Sequence, residues 1–142
     1  IPDPEGYISL VTPHIAIGEP HPPYNSTPAT SGWHRYDADA PAQWGISSTS
    51  LPDEILVHNL EHAGVGIHYN CPEGCDDLVA QLSEIANQYN KIILSPYPDM
   101  DTTIALTAWN YIDKFEIFDA KRIEKFIRGH MNSQDAPEPG GF

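Results

Sequence analysis

The period of the apolar positions changes several times along this chain, and each change marks an element. From Asp53 onward Leu56, Leu60 and Ala63 fall on one helical stripe and Ile55, His58 and His62 on the adjacent one, predicting a helix to about His62. Pro52-Asp53-Glu54 suits its start, because acidic side chains favour the first turn. Ala63-Gly64 breaks that period, and Val65 and Ile67 then alternate as in a strand that reaches Asn70. Leu78, Val79, Leu82, Ile85, Ala86 and Tyr89 restore the helical pattern to about Asn90. Residues 91–96 read as a strand stopped by Pro96, Asp99-Met100-Asp101 as a turn, and residues 102–111 as a β-branched and aromatic strand. Asp119 is the expected cap of a last helix, with Phe118 and Ile123 spaced to staple across it and Ile123, Phe126, Ile127 and His130 on one face.

The first third of the chain lacks such regularity. Residues 7–11 read as a strand and residues 14–17 as a shorter one, but residues 18–50 show only turn signals such as Pro22-Pro23, Ser31-Gly32 and Pro41. A loop of this length inside a compact domain is expected to be functional or anchored. Trp33, Tyr36 and Trp44 can pin it by burying large rings. The tail from Gln134 is rich in Pro and Gly and is expected to fray.

The element order predicts one α+β domain over residues 1–142, a mixed or antiparallel sheet packed with about three helices and a loop-rich N-terminal part over residues 1–50. The link from Leu94 to Thr102 is short enough to predict an antiparallel pair between the strands it joins.

Composition narrows the function. A net charge of -13, with only 7 Lys and Arg and no basic run, excludes nucleic acid and anionic membranes as expected partners. No stretch is apolar and long enough to be read as a membrane span or a signal peptide. The chain opens Ile1-Pro2-Asp3-Pro4 without Met, from which we expect a leader or anchor to have been removed.

Candidate chemistry centres on histidine. His58 and His62 are one helical turn apart, the spacing by which a helix offers two imidazoles to one metal ion. The segment is not the H-E-x-x-H zinc-protease motif. Glu61 directly precedes the second histidine, so it is expected to point away from the shared face and to serve at most as an ion-pair or outer partner. His34, in the loop that needs tethering, is the expected third ligand. Met100 lies between two acids in a turn, where a packing role for a thioether would be odd. Three imidazoles plus one thioether would select copper, Cu(I) especially, with zinc as the alternative. His68 shares a strand face with Gly64 and Gly66 and is a candidate fourth ligand or outer partner.

Met131 is a weaker sulfur candidate. His14 and His21 read as surface residues and His130 as packing or solvent-facing. Cys71 and Cys75 are spaced for a local disulfide, with a second soft-metal site or a thiol-redox pair as alternatives. There is no glycine-rich phosphate loop and no G-x-S-x-G elbow, and Ser31 lacks the rest of a triad.

Three stretches carry a family resemblance. Pro22-Pro23-Tyr24-Asn25 followed by Pro28-Ala29-Thr30-Ser31-Gly32-Trp33-His34 resembles a P-P-x-S-G-x-H element. Residues 56–65 resemble a V-H-N-L-E-H-G-G-V element, and Met100-Asp101 with Ile104-Ala105-Leu106-Thr107-Ala108-Trp109 resembles a third. Together they are similar to the bacterial family catalogued as domain of unknown function 3105, from about Tyr7 to His130. The resemblance implies a periplasmic or extracellular setting, a membrane anchor in some full-length members, and His34, His58, His62 and Met100 as motif positions. This chain departs at Trp33 and Ala63, where the family implies Pro and Gly.

The expected function is an exported metal-binding protein, copper binding or trafficking first, whose partners are the ion and an exported or membrane copper protein. One alternative is a hydrolase or oxidase using the same histidines, which would need an open coordination position. The other is a structural or interaction domain without metal.

Overall fold

The computed structural model describes residues 14–15, 24, 26–35, 42–72, 74–134 and 136–137. The expected strand at residues 7–11, the side chains of His14, His21 and Tyr36, and most of the tail after Gln134 lie outside them. The elements in chain order are β1 (His14–Ile15), β2 (His34–Arg35), β3 (Gly45–Ile46), α1 (Asp53–Glu61), β4 (Val65–Tyr69), α2 (Asp76–Ala86), β5 (Ile92–Pro96), β6 (Ile104–Ala108), β7 (Tyr111–Phe115) and α3 (Ala120–His130). The fold is α+β, as the periodicity predicts, with its three described helices close to their expected bounds.

The main sheet has five strands in the order β3-β5-β4-β6-β7, and β1 pairs with β2 in a separate two-stranded parallel ladder. β3 and β4 both run parallel to β5, while β6 is antiparallel to β4 and to β7. The sheet is therefore mixed. The unit β4–α2–β5 is a crossover, which is how parallel neighbours are joined.

This topology corrects the expected antiparallel pair between the strands flanking the 94–102 link. β5 and β6 are not neighbours, because β4 lies between them. Strands are about 4.8 Å apart, so stepping over one of them asks the link to span only about 10 Å. The link is held across the end of β4 by bonds from Tyr97 N to the Tyr69 carbonyl and from Asn70 N to the Thr103 carbonyl. The strand expected over residues 102–111 ends at Ala108 as β6, and β7 over residues 111–115 lies almost wholly beyond the expected span. Asn110 takes a left-handed φ of 64°, and the chain turns back there into β7.

One sheet face carries Val65, Ile67, Ile92, Leu94, Ile104, Leu106 and Ala108, which pack with Leu82, Ile85 and Ala86 of α2 and Ile123 and Ile127 of α3. Each fully buried Leu or Ile here contributes about 1.5–3 kcal/mol from removal of apolar surface from water. Asp119 caps α3 as expected, its carboxylate accepting from Arg122 N at 3.1 Å.

The opposite face carries Gly66, His68, Ile93, Ser95 and Thr107, and these are buried too. α1 and the N-terminal segment form a second cluster in which Val57, Leu60 and Ala63 meet Ala29 and Trp109. At its first residue α1 is tied to the strand ends, where the Tyr97 hydroxyl donates to both oxygens of Asp53.

Candidate metal centre

The helix that presents the histidines is fixed at both ends. Pro52 occupies the N-cap position with φ -65°, and Asp53 and Glu54 place negative charge at the positive end of the helix. At the other end Ala63 N donates to the Leu60 carbonyl at 2.9 Å and Gly64 N to the Asn59 carbonyl at 3.2 Å. Those two bonds make a Schellman motif, which needs a left-handed residue, and Ala63 supplies it with φ 63°. This explains why the family resemblance implies glycine there: a Cβ in that conformation costs about 1–2 kcal/mol. Lys91 Nζ also donates to the His62 carbonyl at 2.9 Å, adding a cation to the negative end. Burial pushes the Lys91 pKa down.

The same helix holds the loop that precedes it. The Asn59 amide exchanges two bonds with Ala42, accepting from its N–H at 2.8 Å and donating to its carbonyl at 2.9 Å. The Trp44 ring lies against Gly64, where a Cβ would overlap it. Trp33, expected to pin the loop, is buried.

These constraints bring the three expected histidines together. The ring centroids of His34 and His58 are 5.0 Å apart, and those of His58 and His62 are 4.9 Å apart. His34 reaches the cluster from β2, and it is 0% exposed. Its Nδ1 lies 2.9 Å from the Gly32 carbonyl. A carbonyl only accepts, so Nδ1 carries the proton and Nε2 faces the cluster. A backbone carbonyl orienting a histidine in this way is a recurrent second partner of metal-binding imidazoles.

Glu61 is where the structure departs from expectation. Its side chain does not point away. Its Oε1 lies 3.2 Å from His34 Nε2 and 3.8 Å from His58 Nε2, and the residue is 2% exposed. The helical geometry explains this. At about 100° per residue, Glu61 falls about 60° to one side of His58 and His62 about 40° to the other, so all three share one arc. The i,i+3 relation of Glu61 to His58 was the sequence signal available for it.

The ligand atoms of His58, Glu61 and His62 all lie within 4.8 Å of one another. In a tetrahedral site with bonds of about 2.0–2.2 Å, neighbouring ligand atoms stand about 3.3–3.6 Å apart. The 3.2 and 3.8 Å separations around Glu61 Oε1 bracket that value, while His34 stands outside the mutually close set and touches it through Glu61. His62 is partly exposed while His34 and Glu61 are buried, which leaves one side of the cluster toward solvent.

The other candidates have the following surroundings. Met100 is buried in the β5–β6 link, its carbonyl accepting from Asn70 Nδ2 at 2.7 Å just beyond the end of β4. His68 is buried against the sheet, its Nε2 2.8 Å from Thr107 Oγ1 and its ring edge-on to Tyr97 with centroids 5.8 Å apart. Burial pushes its pKa down to about 3. His130 packs between Tyr111 and Phe126. Cys71 and Cys75 are joined in a disulfide ahead of α2, the local staple expected from their spacing.

Fold and cluster together define an α+β domain with three imidazoles and one carboxylate gathered between a helix and a short N-terminal strand. The chain belongs to the family described as Protein of unknown function (DUF3105), whose model matches residues 19–141. No curated protein and no solved structure matches the chain.

Proposed function

We propose that this domain is an exported metal-binding protein that holds a transition-metal ion on His34, His58 and His62. Copper binding or trafficking is the first reading and zinc the alternative ion, with Met100 as the ligand on which a preference for Cu(I) would depend. The observation that carries the proposal is the convergence of three imidazoles from two separate elements, one of them already oriented by a backbone carbonyl. The Cys71–Cys75 disulfide supports a setting outside the cytoplasm, since such bonds persist in oxidising compartments. The partial exposure of His62 suits an ion that is taken up and passed on.

The test is metal content and titration of the domain purified without a histidine tag. The parent is expected to bind one equivalent, and His58→Ala and His62→Ala are expected to lose it. Equal binding by parent and variants would end the proposal. If chelator treatment left the melting temperature unchanged and no ion co-purified, the histidines would be structural.

A further inference from the structure

The carboxylate inside the histidine cluster bears on which ion the site can take. His34 donates its Nδ1 proton to the Gly32 carbonyl and turns Nε2 toward Glu61 Oε1 at 3.2 Å. His58 Nε2 approaches the same oxygen at 3.8 Å. Glu61 also shares a mutually close set of ligand atoms with His58 and His62, all within 4.8 Å of one another. An ion among these atoms would be held by the carboxylate and the imidazoles together. Placing a carboxylate where it is 2% exposed also carries a desolvation cost, which a bound cation offsets.

We propose that Glu61 is itself a metal ligand, so that the site takes a divalent ion on three imidazole nitrogens and one carboxylate oxygen. This rests on the reading that the cluster binds metal at all. Zn(II) and Cu(II) accept imidazole and carboxylate together, while Cu(I) prefers thioether and thiolate and gains little from a hard oxygen. The anionic oxygen thus gives the site a preference for divalent ions, without calling on sulfur.

The experiment compares the parent with Glu61→Gln, nearly the same shape without the charge, and with His58→Ala. Zn(II) and Co(II) are titrated in air, and Cu(I) anaerobically against a chromogenic competitor. Glu61→Gln is expected to weaken Zn(II) and Co(II) at least about 10-fold, the scale on which even outer partners of metal ligands act, and to leave Cu(I) within about 3-fold. If Glu61→Gln binds Zn(II) like the parent while His58→Ala does not, Glu61 is not a ligand, although the metal-binding reading stands. Equal weakening of Zn(II) and Cu(I) overturns the divalent preference. A parent that binds none of the three ions sinks the underlying reading and this one with it. Should Glu61→Gln fail to fold, X-ray absorption of the Zn(II)-loaded parent decides. Only nitrogen and oxygen neighbours near about 2.0–2.2 Å are expected, and a sulfur neighbour near about 2.3 Å would give the fourth position to Met100 instead.

Discussion

Acidification from pH 7.5 to pH 5.0 should weaken this fold by about 2 kcal/mol through His68 alone. The residue is fully enclosed, and loss of hydration holds its pKa down to about 3, against 6.5 for the free side chain. Between those values the unfolded chain binds a proton that the folded chain refuses, so stability falls as the pH falls. At pH 7.5 the linkage contribution is negligible, at pH 5.0 it is about 2 kcal/mol, and near pH 3 it approaches about 4 kcal/mol. Urea unfolding at the two pH values, with chelator present throughout, measures the change. The comparison is with His68→Gln, whose amide can still meet Thr107 Oγ1 but does not titrate. Protonation of the other histidines is common to both proteins and cancels in the double difference. The parent should lose about 2 kcal/mol more than the variant. If both lose the same amount, His68 is not kept neutral by its surroundings, and the account of this sheet face is wrong.

Substitutions at three further positions test the packing around the cluster. Gly66→Ala places a methyl group into Thr107 Oγ1 and 2.6 Å from His68 Nε2, so it should cost about 2–3 kcal/mol in a urea melt and separate that pair. Asn59→Ala removes both bonds to Ala42 and should cost about 1–3 kcal/mol, with faster amide exchange at residues 42–46 as its local mark. Ala63→Gly relieves about 1–2 kcal/mol of left-handed strain but forfeits about 0.8 kcal/mol of methyl burial and raises unfolded-chain entropy by about 0.4–1 kcal/mol. Calorimetry should therefore find it within about 1 kcal/mol of the parent, whereas Ala63→Val, branched at the same left-handed position, should lose more than about 2 kcal/mol.

The sequence revealed elements whose burial is one-sided and long enough to repeat. α2 and α3 each show one apolar stripe over eleven residues, and the structure buries that stripe against the sheet. β3 is two residues long, too short for any alternation to register, and its place at the sheet edge comes from pairing with Ile93 and Leu94. β7 escapes the sequence reading for a different reason. Tyr111 and Ile112 are exposed and Asp113 and Lys114 half-buried, so no apolar period distinguishes it, and the only local signal was Asn110. The order of β5, β4 and β6 was hidden because link length bounds which strands can be neighbours without deciding which of them are.

The histidines and Glu61 differ in legibility for a related reason. Imidazoles at i and i+4 on a helix have few common uses, so His58 and His62 stood out, and a loop in need of an anchor made His34 their natural companion. A glutamate on a helix is ordinarily a solvated side chain, and its direction is judged by comparison with its neighbours. Comparison with His62, one residue away, put Glu61 on another face; comparison with His58, three residues away, puts it on the same one. Both are true of an arc about 100° wide that has His58 inside it. What decided between them was His34, which arrives from β2 on the Glu61 side of that arc and closes over it. No local pattern contains that information, because it depends on how a segment without periodicity meets α1, a segment that the bonds of Asn59 to Ala42 and the ring of Trp44 on Gly64 fasten further along. The residues that position the cluster are thus the ones whose side chains carry none of its chemistry.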